Sequence, residues 1–107
     1  MADFTIKEND LLPVIQATIT DSDGTAVDLS GGTVKFLMLD QDNTLKVDAA
    51  GSFVTDGSDG QVQYAWSGTD TDTAGGYRAE FEITISGKIV TAPNNGYLTI
   101  KILEDLG

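Results

Sequence analysis

Apolar residues recur at every second position in short runs along this chain, and Gly, Asp, Asn and Ser break each run. That pattern predicts strands joined by turns. Phe4 and Ile6 alternate in a short first strand, and Val14 to Thr20 puts Ile15, Ala17 and Ile19 on one face before Asp21-Ser-Asp-Gly24 turns the chain. Val34, Phe36 and Met38 share a face of Thr33 to Asp40, entered from Leu29-Ser-Gly-Gly32 and left through Gln41-Asp-Asn43. A weaker strand is expected over Thr44 to Val47 and a short one near Phe53 and Val54. After Asp56-Gly-Ser-Asp-Gly60, Val62, Tyr64 and Trp66 alternate with Gln61, Gln63 and Ala65.

The longest run follows. Tyr77, Ala79, Phe81, Ile83 and Ile85 form an inward face, with Arg78, Glu80, Glu82 and Thr84 outward. Ser86-Gly87 turns into Lys88 to Thr91, Ala92-Pro-Asn-Asn-Gly96 interrupts, and Tyr97 to Leu103 points Leu98, Ile100 and Ile102 inward. No helical period survives, and no internal repeat of solenoid length is present. Seven to nine short strands with closely spaced turn clusters predict an all-β, immunoglobulin-like antiparallel sandwich in preference to a barrel. Tyr77 adds to that expectation. It follows Gly75-Gly76 at a strand entrance, where a corner tyrosine buries its ring and hydrogen-bonds its hydroxyl to upstream backbone.

The length of 107 residues fits one domain, 1–107, with one core. Cysteine is absent, so no disulfide framework supports that core, and a reducing cytoplasm suits its synthesis. The amino terminus lacks the basic and apolar regions of a secretory signal, and runs such as Leu37-Met38-Leu39 or Leu11-Leu12-Pro13-Val14-Ile15 are too short to span a membrane. Six Lys and Arg against 17 Asp and Glu give a net charge of −11, which repels nucleic acid, and no basic stripe overrides it. The acidity keeps copies of an edge-exposing β-protein soluble before assembly.

The chemical inventory is short. Without His or Cys the chain builds neither a Ser-His-Asp nor a Cys-His centre, nor the usual zinc shell of thiolates and imidazoles. A carboxylate pair could run glycoside hydrolysis, but the acids sit at turns or on outward strand positions such as Glu80 and Glu82, which form no cleft. No enzyme is expected. Aspartates two or three residues apart, at Asp21/Asp23, Asp40/Asp42, Asp56/Asp59 and Asp70/Asp72, raise calcium, yet none completes a twelve-residue calcium loop. Asp and Gly are also what turns demand, so plain turns are preferred and no cofactor is expected. Trp66 and Tyr64 could stack on a sugar, but their shared face with Val62 favours core packing. Gly75-Gly76 lacks the sequence of a phosphate loop.

Several segments, in order, resemble one family. Phe4-Thr-Ile-Lys-Glu-Asn-Asp-Leu-Leu-Pro13, Asp21-Ser-Asp-Gly-Thr-Ala-Val-Asp-Leu-Ser-Gly31 and Val34-Lys-Phe-Leu-Met38 are similar to the N-terminal domain of phage baseplate upper proteins. So are Asp59-Gly-Gln-Val-Gln-Tyr-Ala-Trp66, Gly76-Tyr-Arg-Ala-Glu-Phe81, Ser86-Gly-Lys through Pro93, and Tyr97-Leu-Thr-Ile-Lys-Ile102. The resemblance implies an immunoglobulin-like fold and a structural part of a tailed-phage virion, in the tail, baseplate, collar or head. The part would be made in the host bacterial cytoplasm and act as an assembly or attachment module through sheet edges and loops. The implied partners are other virion proteins, with symmetric copies in the particle. The chain stops at Gly107 without the receptor-binding region that follows in that family, which favours a small virion component over receptor recognition. The interface candidates are Phe4 in the amino-terminal arm, Asp42 and Asn43 in the Asp40 to Thr44 loop, and Pro93, Asn95 and Tyr97 at the last strand's entrance. The competing reading is a carbohydrate- or cell-surface-binding module that uses aromatic and acidic loop residues.

Overall fold

A computed structural model of the chain describes residues 3–21, 23–92 and 98–104. Among them are nine strands and no helix: β1 (Asp3–Lys7), β2 (Ile15–Thr18), β3 (Thr33–Leu39), β4 (Leu45–Ala50), β5 (Ser52–Phe53), β6 (Gln61–Tyr64), β7 (Gly75–Ile85), β8 (Lys88–Ala92) and β9 (Leu98–Leu103). They form a β-sandwich of a six-stranded sheet, ordered β1-β9-β7-β3-β4 with β8 also on β7, and a three-stranded sheet, β2-β6-β5.

The eleven-residue β7 organises the larger sheet, because it is long enough to take two partners on one side. Its first half pairs with β9, from Gly75↔Ile102 to Ala79↔Leu98, and its second half with β8, from Phe81↔Ala92 to Ile85↔Lys88. On the other side β3 runs the length from Thr33↔Thr84 to Leu39↔Arg78. Ser86 and Gly87, both with positive φ, make the tight β7–β8 turn that a two-residue hairpin loop requires. Every pair is antiparallel except β1 with β9, which run parallel from Asp3↔Thr99 to Lys7↔Leu103.

The alternating pattern becomes the core. Phe36, Met38, Phe81, Ile83, Ile100 and Ile102 from the larger sheet are almost wholly buried, facing Ile15, Val62 and Tyr64 from the smaller. The two layers meet through aromatic rings. Phe36 stacks on Tyr64 with centroids 4.6 Å apart and planes 9° apart, lies 5.1 Å from Phe81, and meets Trp66 edge-on at 5.6 Å. Such contacts add about 0.5–1.5 kcal/mol each beyond the area they bury.

The chain crosses between layers at Gly51, from β4 in one sheet to β5 in the other. Its amide donates to the Val34 carbonyl at 2.9 Å. A Cβ there would lie 2.8 Å from both the Gln63 carbonyl oxygen and Val34 Cγ1, so the crossing needs a residue without a side chain.

Candidate functional site

Turn construction takes one or both carboxylates of each of the first three aspartate pairs. Asp21 Oδ1 accepts the amides of Asp23 and Thr25, Asp40 Oδ1 those of Asp42 and Thr44, and Asp59 Oδ1 that of Gln61. Asp28 and Asp56 each accept both the amide and the hydroxyl of the serine two residues on, Ser30 and Ser58. Those serines hold both carboxyls below the usual carboxylate range, their hydroxyls contributing most. Lys46, 2.6 Å from Asp72, does the same for that carboxyl with help from Thr73. Among the described residues no three acids converge as a metal site would require.

The loop between β6 and β7 carries the most developed polar geometry. The Tyr64 hydroxyl donates to Asp70 Oδ2, which also accepts the Ser67 amide at 3.0 Å. Burial first, then the bond to the carboxylate, pushes the Tyr64 phenol up to about 12. The Tyr77 hydroxyl donates to the Thr73 carbonyl at 2.8 Å, four residues upstream, the corner geometry expected from its place after the glycine pair. Burial raises its phenol as well. One loop therefore secures both sheets, through Tyr64 in the smaller and Tyr77 in the larger. The Tyr64–Asp70 bond had no signal in the sequence beyond the presence of both residue types.

Neither Tyr64 nor Trp66 opens a ring to a sugar: each is only 4% exposed. Trp66 is packed by Phe4, Phe36 and Tyr64, and its buried Nε1–H has no acceptor among the described residues. A shallow open depression is lined by Asp40, Gln41, Gly76, Tyr77, Arg78 and Thr99, on the outer side of the β7 entrance. It contains no pair of acids.

The interface candidates separate. Phe4 lies in β1, half-buried, with its ring 5.8 Å from that of Trp66, so its side chain serves the core and what β1 offers a neighbour is backbone. Asp42 and Asn43 are exposed at the tip of the β3–β4 hairpin, where Asn43 takes φ of +64° and its amide returns to the Asp40 carbonyl at 3.1 Å. Asparagine tolerates that left-handed geometry better than most residues. Pro93, Asn95 and Tyr97 lie outside the described residues. Open sheet edges were expected, but the sequence pattern did not show which strands carry them. Among the described residues the outer edges of β1, β4 and β8 in the larger sheet, and of β2 and β5 in the smaller, pair with no strand. No described helix is long and apolar enough to cross a membrane.

The chain is similar in fold to the N-terminal domain of phage TP901-1 ORF48, with a TM-score of 0.63 and 16% identity over 97% of this chain and 85% of that one. It is also similar to CopC from Methylosinus trichosporium OB3b, with a TM-score of 0.58 and 14% identity over 100% of this chain and 89% of that one. At such identities the likeness is one of fold. No curated protein matches the sequence. The model of the BppU N-terminal domain matches residues 2–102, nearly the whole chain, and the protein therefore belongs to that family, the N-terminal domains of phage baseplate upper proteins.

Proposed function

We propose that this chain is an assembly module of a tailed-phage particle that joins neighbouring virion proteins through its open strand edges and end loops. Family membership makes it a structural part of the virion, associated with other virion components. The observation that carries the finer reading is the set of outer edges, on β1, β4 and β8 of the larger sheet and β2 and β5 of the smaller, that pair with no strand among the described residues. An edge strand offers a row of unpaired amides and carbonyls to a neighbour's backbone, and an acidic surface keeps such a protein from pairing prematurely with itself. In this reading residues 1–107 act as one unit, made in the host cytoplasm and built into the particle in symmetric copies. It turns over no substrate and needs no metal.

The test is composition. Particles purified from a host producing the phage should contain the chain in a fixed ratio to tail proteins, and a gene deletion should leave particles lacking the component that docks on it. Its absence from purified wild-type particles would overturn the reading. A calcium titration by calorimetry should give no binding heat.

A further inference from the structure

Five large apolar side chains stand exposed among the described residues: Leu11, Leu12, Leu45, Ile89 and Leu103. Single exposed leucines need no explanation, but several sharing one place do. Hydrogen bonds and one ion pair bring four of these five to the same end of the sandwich. The Glu8 amide donates to the Leu103 carbonyl at 2.8 Å, so the segment leading to Leu11 and Leu12 starts against the last residue of β9. The Asn9 amide then donates to the Thr71 carbonyl, and the buried Thr71 hydroxyl donates to the Asp10 carbonyl, both at 2.9 Å. Those bonds pin the leucine segment to the loop that holds Tyr64 and Tyr77. On that loop's next residue, Asp72 meets Lys46, which brings β4's first residue, Leu45, to the same end. Ile89 pairs with Thr84 near the far end of β7 and stands apart.

We infer that this leucine-bearing end is the surface by which the chain docks on a different virion protein, one presenting an apolar centre flanked by Lys and Arg. The inference rests on the assembly reading and locates it. Charge identifies the occupant. Exposed Asp10, Asp42 and Glu104 accompany the leucines, and a net charge of −11 sets one copy of this chain against another. A basic partner is attracted by the same charges, and leucines in a dry centre supply the affinity. Leu12, 74% exposed, contributes least to the fold and most to such a contact.

The experiment uses the phage that encodes the chain. Its gene is replaced by Leu11→Ser/Leu12→Ser, by Leu103→Ser, or by the control Ile89→Ser, and incorporation into purified particles is measured by immunoblot. The first two should reduce incorporation about tenfold or more, while the control matches wild type. In parallel, a photo-crosslinking benzoylphenylalanine at position 12 should capture another virion polypeptide, and one at position 89 should not. Melting curves of the purified variants guard against misfolding. Where the double variant melts early, Leu103→Ser and the position 12 crosslink give the answer. Normal incorporation of folded variants, or crosslinking at position 12 only to a second copy of this chain, overturns the inference and leaves the assembly reading intact. Absence of the wild-type chain from particles overturns both.

Discussion

The two sheets are held by different means. The larger is a continuous ladder in which β7 alone bonds to β3, β8 and β9. The smaller has two four-residue strands and one two-residue strand, too little backbone pairing to stand alone, and it persists because its side chains are packed on the other layer. Its attachment is concentrated in the Phe36–Tyr64 stack, the Gly51 crossing and the Asp70 bond to Tyr64. The contrast teaches that an edge-rich domain can be locally soft on one side while its long strands stay rigid, since local opening follows contact density.

The strongest way to break this contrast is Phe36→Ala. Removing a fully buried ring that touches three other aromatics should cost about 3–5 kcal/mol. Amide exchange should show where the cost falls: β2 and β6 should lose protection before β7 and β3. Equal loss in both sheets would mean that the smaller sheet does not depend on the aromatic stack as argued.

The second effect tests the smaller sheet's tyrosine anchor by pH. Tyr64 has a folded pKa pushed up to about 12 from an unfolded value near 10, so its neutral form stabilises the fold. That contribution is complete below pH 10 and is lost as pH rises through about 12. A shift of about two units corresponds to about 2–3 kcal/mol. Chemical denaturation at pH 9, 10.5 and 12 should show the decline, and Tyr64→Phe should shrink it. An identical alkaline decline in the variant would remove Tyr64 as its source.

Tyr77→Phe is the matching probe of the larger sheet. It keeps the buried ring and removes one bond to the Thr73 carbonyl, at a cost of about 1 kcal/mol. An unchanged melting curve would show that the corner bond adds nothing net. Tyr77 also shows what the sequence made legible: a tyrosine after a glycine pair, heading an alternating run, was enough to anticipate both the strand and the direction of its hydroxyl. The inward faces of β3, β7 and β9 were readable for the same reason, since period-two burial is a local property. Partner choice is not local. Nothing near Phe4 announces that β1 runs parallel to β9, and β4 extends to Ala50, beyond the expected Val47, because it gains a ladder on β3. A bulge between Met38 and Leu39 shifts its register, which a pattern confined to either strand does not show. The exposed end was half legible: Leu11 and Leu12 stood out as an apolar run, but it is the Glu8 bond to the Leu103 carbonyl that sets them near Leu103 and the bonds through Thr71 that tie them to the β6–β7 loop.

The smallest effect lies on the acid side and falls on turns of both sheets. Asp28, Asp56 and Asp72 are all held below the usual carboxylate range, the first two by serine hydroxyls and amides and the third by Lys46. A group whose folded pKa is depressed contributes above its unfolded value, near 4, and loses that contribution as pH falls through the folded one. Stability should therefore hold from neutrality to about pH 4 and decline below it. All three carboxyls are exposed to solvent and screened, so the decline should be shallow and sensitive to salt only for Asp72, whose partner is a charge. Ser58→Ala should flatten part of the acid limb without altering its salt dependence, whereas Lys46→Met should remove the salt-dependent part. If both variants leave the limb unchanged, these turns do not set acid stability, and the carboxylates near the exposed leucines become the groups to titrate next.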